Sequence, residues 1–137
     1  MRIAYFGCVA GVSGDMILGA LVDAGAPLDR LQDALAHLPL PGLRLRAERV
    51  HRKSLMGTKV TVVAGEESPP LRHLSDLEGI LAASEIPARV KGEAGRVFRR
   101  LAEAEAHLHG ASVEEVHFHE VGAADTMADV VGAALAV

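Results

Sequence analysis

The sequence predicts an α+β fold: a small mixed sheet, made of a first strand plus an antiparallel hairpin, covered by helices. Three observations carry this. An apolar run at 2–9 ends in a glycine turn. Two stretches, at 43–48 and 59–62, alternate strictly between apolar and polar residues. Elsewhere, apolar residues recur every three or four positions, over the longest distance at about 87–109. Alternation is the period of a half-buried strand, and the three-and-four spacing is that of one helix face. With 137 residues the chain makes a single domain, 1–137, able to bury a core. Half of it is hydrophobic but only 3% is aromatic, so Ala, Val, Leu and Ile must build that core.

Taken in order, residues 2–9 read as a buried strand. Gly11-Val12-Ser13-Gly14-Asp15 breaks the pattern, and a helix follows from Asp15 to Ala24 with Ser13 as its N-cap. After Pro27, Leu28, Leu31, Leu35 and Leu38 mark one face of a second helix, which Pro39 and Pro41 end. Leu43, Leu45 and Ala47 alternate with Arg44, Arg46 and Glu48. Val60 and Val62 form the partner strand, and 51–57 is expected as an irregular connection. Residues 65–72 read as a loop. Ser75-Asp76-Leu77-Glu78 has the pattern of a capping box opening a helix to about Ala83. Pro87 begins the long helix, with an expected stripe at Val90, Ala94, Val97, Leu101, Ala104 and Leu108, and Gly110 stops it. Ser112 and Glu115 are spaced to close a single turn before His117-Phe118-His119. A last helix runs from about Asp125 to an apolar, uncapped end at Ala134–Val137, which reads as a domain truncated at its C-terminus, with a further region or a second chain as its partner.

Composition narrows the function. A net charge of −4 argues against a general nucleic-acid binder. The longest apolar run, Val130–Val137, is far too short to cross a membrane. Cys8 is the single cysteine, and the N-terminus lacks the pattern of a signal peptide, so a cytoplasmic location is expected.

Four groups of residues could carry chemistry. The first is His117 to Asp129. In an extended segment His117 and His119 share a face, and Gly122 allows a turn that brings Asp125 towards them. Two imidazoles and a carboxylate suit a divalent metal, so His117, His119 and Asp125 are the candidate ligands, with Glu120 beside them. Asp129 lies on the Asp125 face of the helix. The structural alternative makes one histidine a core residue, Asp125 an N-cap and Asp129 a solvated acid. The second group is Gly11, Ser13, Gly14 and Asp15. Helix-start N–H groups and glycines suit an anion, and Asp15 suits a hydrated metal; no Lys follows Gly14 to make a Walker loop, and an ordinary capped turn is the alternative. The third is basic: Arg44, Arg46, Arg49, His51, Arg52, Lys53 and Lys59 gather around the hairpin, with Arg52 and Lys53 the candidates for an anionic small molecule. Cys8 is either a soft metal ligand or a buried structural residue. His107 and His109, near the end of the long helix, suit its dipole.

Two long motifs point further. Tyr5-Phe-Gly-Cys-Val-Ala-Gly-Val-Ser-Gly-Asp-Met-Ile-Leu-Gly-Ala-Leu-Val-Asp-Ala-Gly25 and Val116-His-Phe-His-Glu-Val-Gly-Ala-Ala-Asp-Thr-Met-Ala-Asp-Val-Val-Gly132 resemble the LarC-type nickel-insertion proteins, as do Gly57–Val60 and Arg72–Asp76. The resemblance covers the whole chain, which corresponds to the N-terminal part of that family. Gly7 stands where the family usually has Asp, and Ala124 where it usually has Val. The resemblance implies nickel insertion into a pyridinium bis-thiocarboxylic acid mononucleotide. That reaction is a cyclometallation, of the lyase class, which makes the nickel-pincer cofactor of lactate racemase-type enzymes. It implies Ni²⁺, and CTP with Mn²⁺ or Mg²⁺ acting mainly through a C-terminal region. A homo-oligomer is expected. The leaving ring proton needs a base, for which His119 or Glu120 is the candidate. Two other functions fit the residues: a metal-dependent phosphoester hydrolase, and a non-catalytic docking or oligomerisation module.

Overall fold

A computed structural model describes residues 3–65, 72–118 and 124–137. The architecture is α+β, as expected. Among the described residues there are five helices, α1 (Gly14–Asp23), α2 (Leu28–Leu35), α3 (Leu74–Ala83), α4 (Ala88–His109) and α5 (Ala124–Ala136), and a hairpin of β1 (Arg44–Arg52) and β2 (Leu55–Val63), against which α1, α2 and α5 pack. Among the described residues this antiparallel pair is the whole sheet.

The expected first strand is not part of it. Residues 3–8 make no ladder, and Ile3, Tyr5 and Val9 are 79%, 92% and 102% exposed. An apolar run becomes a strand only where a sheet edge accepts its backbone groups, and no edge of the hairpin does so here. Cys8, on this segment, is exposed, so it is not the buried structural residue that the sequence allowed.

The hairpin is also tighter than expected. Its register runs from Arg44↔Val63 through Ala47↔Val60 to Arg52↔Leu55. This leaves only Lys53 and Ser54 to turn the chain, with Lys53 at φ 54°. The alternation was read correctly: Leu43 and Val60 are buried, while Arg44, Arg46 and Glu48 are exposed.

The long helix follows a different buried line from the expected one. Val90, Ala94, Phe98, Ala102 and Ala106 are buried, each four residues from the last, while Val97 is 44% and Leu108 77% exposed. Alternating steps of four and three describe a coiled-coil seam. Steps of four follow the i±4n ridge, which packs at a steeper crossing. Phe98 is fully buried, and so takes the place expected for its neighbour Val97. Gly110 ends α4 at φ 64°, as expected. The core joins α4 to Leu35, Leu77, Phe118, Met127 and Val131. Burying a side chain the size of Phe98 or Phe118 contributes about 2–3 kcal/mol.

Two packings set up the candidate site. Helix α1 lies on β2 so closely that a Cβ on Gly19 would sit 2.5 Å from the Thr58 carbonyl oxygen. It also lies against α5, where Leu18 and Val131 are fully buried. The N-terminus of α1 and the first turns of α5 therefore share one corner. Helix α3 starts two residues earlier than expected: the N–H of His73 donates to the Asp76 carboxylate at 2.7 Å, so the box lies at His73–Asp76 and not at Ser75–Glu78.

Candidate metal centre

The corner is built from α1. Ser13 takes the N-cap place in extended backbone, and its carbonyl accepts the first helical bond from Ile17 at 3.1 Å. Its hydroxyl, however, does not cap the helix. It donates to Oδ1 of Asp15, which also accepts the Met16 N–H at 2.9 Å. The helix start is therefore occupied by a carboxylate of its own chain. Gly11, at φ 84°, shapes the turn before it.

Gly14 lets α5 approach. A Cβ at this position would lie 2.4 Å from Oδ2 and 2.5 Å from Cβ of Asp129. Asp129 thus rests on bare backbone at the α1 terminus. Its Oδ1 is buried and has no hydrogen-bond partner among the described residues. Burial first, then the negative charges of Asp15 and Asp125, push its carboxyl up to about 7. Asp125, in the first turn of α5, accepts the Thr126 N–H at 2.7 Å. Asp15, Asp125 and Asp129 form one region of concentrated negative charge. Among the described residues no three His, Cys, Asp or Glu side chains are arranged to hold an ion, so the corner is a field of carboxylates and not a finished coordination sphere.

His117 lies in a different group. Its ring stacks on His73, centroids 4.0 Å apart and planes at 43°. His73 Nδ1 is 3.0 Å from the Val116 carbonyl oxygen, and the Phe118 N–H donates to the Arg72 carbonyl at 2.9 Å. Two segments remote in sequence are thereby fastened side by side. His119 and Glu120, the candidates for a ligand and a base, lie outside the described residues.

Arg52 and Lys53 stand apart from the corner. Thr58 meets Asp23 at the C-terminal end of α1, its hydroxyl donating at 2.6 Å, and Val60 lies beside Gly19 further back along the helix. The hairpin tip therefore projects beyond the end of α1 opposite to Ser13 and Gly14. Arg49 is engaged with Asp23 and Thr58, so part of the basic cluster serves the fold. Thr58 and Arg49 together hold the Asp23 carboxyl below its ordinary range. His109 pairs with Glu105 at 3.3 Å in the last turns of α4.

Two residues carry little local signal. The sequence places Asp129 on the Asp125 face but allows a solvated acid there as readily as a functional one. The i,i+4 spacing was its only signal, and nothing in it said that α1 would cover the pair. His73 had no local signal beyond its neighbours in the motif.

Comparison with known proteins matches the sequence to one family. The profile of the family described as nickel insertion protein matches residues 4–137. A nickel insertion protein by name from Thermomicrobium roseum is 53% identical over 133 residues, covering 96% of this chain and 32% of its own. One from Citrifermentans bemidjiense is 47% identical over 135 residues, with coverages of 98% and 35%. The pyridinium-3,5-bisthiocarboxylic acid mononucleotide nickel insertion protein of Desulfitobacterium hafniense is 45% identical over 135 residues, with coverages of 98% and 33%. No solved structure matches the chain. The chain belongs to the nickel insertion protein family, and it spans about a third of the length of these relatives.

Proposed function

We propose that this chain is the metal-receiving part of a protein that inserts nickel into pyridinium-3,5-bisthiocarboxylic acid mononucleotide, the compound named for the Desulfitobacterium relative. The observation that carries this is Asp129: a carboxylate with a buried, unpartnered oxygen, held beside two more carboxylates. Such a group gains most from a divalent cation. Nickel is here a substrate, and carboxylate with imidazole is a donor set that it accepts. Near neutral pH Asp129 is part-protonated, so it can give up its proton as Ni²⁺ arrives and take it back as Ni²⁺ leaves.

In the insertion itself, Ni²⁺ bonds to the two thiocarboxylate sulfurs and to a ring carbon. The carbon–hydrogen bond breaks, its electron pair goes to nickel, and the proton goes to a base, for which His119 or Glu120 is proposed. This is an enzymatic, lyase-type role. CTP with Mn²⁺ or Mg²⁺, the supply of cofactor to lactate racemase-type enzymes, a homo-oligomeric assembly and a cytoplasmic location belong to the same proposal. Asp15 and Asp129 make the Gly11–Gly14 turn a poor place for a bare phosphate, so Ser13 and Gly14 serve the cation side of the chemistry. Arg52 and Lys53 are better placed to hold an anion, at the hairpin tip.

Isothermal titration of the chain with Ni²⁺ tests the reading. Asp129→Asn is expected to weaken binding by about tenfold or more, the loss typical of a group that holds or orients a ligand. Unchanged affinity would overturn the assignment of the corner.

A further inference from the structure

Helix α4 carries two apolar lines, and the fold covers one of them. The covered line is Val90, Ala94, Phe98, Ala102 and Ala106. The other shares Val90 and Ala94 and then diverges, through Val97, Leu101, Ala104 and Leu108, in steps of four, three and four. Val97 is 44% and Leu108 77% exposed, Ala104 is exposed, and Leu101 reaches only the edge of the core. Among the described residues α4 packs chiefly on α3 and α5, which leaves this second line facing water.

The spacing is that of a coiled-coil seam, with Val97 and Ala104 at d positions and Leu101 and Leu108 at a positions. The flanks carry complementary charge. Arg100 takes the g position before Leu101, and Glu105 the e position after Ala104. In two parallel helices in register, each g side chain meets the e side chain of its partner's next heptad. Arg100 of each copy then lies beside the partner subunit's Glu105. An antiparallel pairing puts g beside g, so that Arg100 would face the partner subunit's His107 and leave Glu105 on the other flank. Arg100 is available for this contact. Its side chain is 84% exposed and pairs within the chain with Glu103 at 3.3 Å, an outer pair that is easily exchanged. Val97, Arg100 and Leu101 also line a shallow depression on this face. Such a depression is the hole that a leucine knob of a facing helix enters.

We infer that two copies of this chain associate through α4, as a short parallel coiled coil over residues 97–108. The seam is less than two heptads long, so the contact is small and the dimer weak. The homo-oligomeric assembly of the proposed function gains an interface in this way, yet the two readings fail separately. A monomeric chain leaves the carboxylate corner as it is, and loss of Ni²⁺ binding leaves the seam as it is.

Sedimentation velocity of the whole chain tests this, in a series rising to about 1 mM, where a weak contact is populated. The sedimentation coefficient is expected to climb with concentration from the monomer towards the dimer value. Leu108→Ser and Arg100→Glu are each expected to weaken the dimer by about tenfold or more, and adding Glu105→Arg to Arg100→Glu to restore it. Both residues are exposed, so the variants keep the fold, with a wild-type urea midpoint as the check. Orientation is read with Leu108→Cys in a Cys8→Ser background: parallel helices bring the two thiols together, and mild oxidation links them. A chain that stays monomeric to the top of the series overturns the inference, as does a dimer that survives both Leu108→Ser and Arg100→Glu. A dimer that forms without the cross-link overturns the parallel pairing.

Discussion

Carboxylates on the outer face of α3 and α4 and carboxylates at the α1–α5 corner are the same group in opposite circumstances. Glu93 pairs with Arg89 at 2.9 Å, Glu103 with Arg100 at 3.3 Å, and Glu78 with Arg99 at 2.6 Å, all at the water-facing surface. Asp15, Asp125 and Asp129 enter no ion pair among the described residues, and Asp129 is part-buried between the other two. Folding accounts for the first set, since each acid has a cation one helical turn or one helix away. It does not account for the second, where the fold brings like charges together and takes water from one of them. The proposed cation would offset that cost.

Four experiments bear on this contrast. The largest effect is expected at Gly14→Ala, whose new Cβ would lie 2.4 to 2.6 Å from three Asp129 atoms. Overpacking of this kind costs about 3 kcal/mol, read by urea unfolding. Wild-type stability in this variant would mean that Asp129 does not rest on α1.

The next is pH dependence. The ordinary Asp129 value of 3.8 rises to about 7 in the fold, so the folded state holds the proton more tightly than the unfolded chain. Stability therefore falls as pH rises from about 4 to about 7, and is level above that. The full difference corresponds to about 4 kcal/mol, and solvent screening of a half-exposed side chain reduces this to about 2. Asp129→Asn should remove that slope and be the more stable protein at about pH 8; equal slopes in the two proteins would show that Asp129 is not the source.

Smaller again is Gly95→Ala in α4, where a Cβ meets nothing within 4 Å. It should raise stability by about 0.5–1 kcal/mol, as a helix former replaces glycine. A loss would reveal a close neighbour of α4. The smallest is Glu78→Gln, which breaks the pair with Arg99 and should cost at most about 0.5 kcal/mol in thermal unfolding. A cost above about 2 kcal/mol would mean that the surface pairs contribute to the fold as strongly as the corner opposes it.

Much of this was legible in the residues. The strand alternation at 43–48 located the hairpin, because a side chain's face in a strand depends only on its parity. The spacing in 87–109 located α4, but Phe98 and not Val97 lies inside, because the phase of a helix is set by what it packs against. The run at 2–9 misled, since strand formation needs a partner edge that local sequence cannot supply. At the site, the spacing of Asp125 and Asp129 was visible, and so were the residues of the turn at Gly11–Asp15. That the two would meet was not, nor was the partnership of His117 with His73, 44 positions away.

The sequence by itself determined the helices, the hairpin strands, the stop at Gly110 and the family, because these rest on local periodicity, local backbone freedom and the order of residues in motifs. Only the tertiary structure decided that Asp129 lies against Gly14, with its charge opposed by Asp15 and Asp125, and that His73 stands beside His117. Charge repulsion, desolvation and ring stacking depend on distances through space, and those distances exist only once α1, α5 and the Arg72–Phe118 bridge have been packed into place.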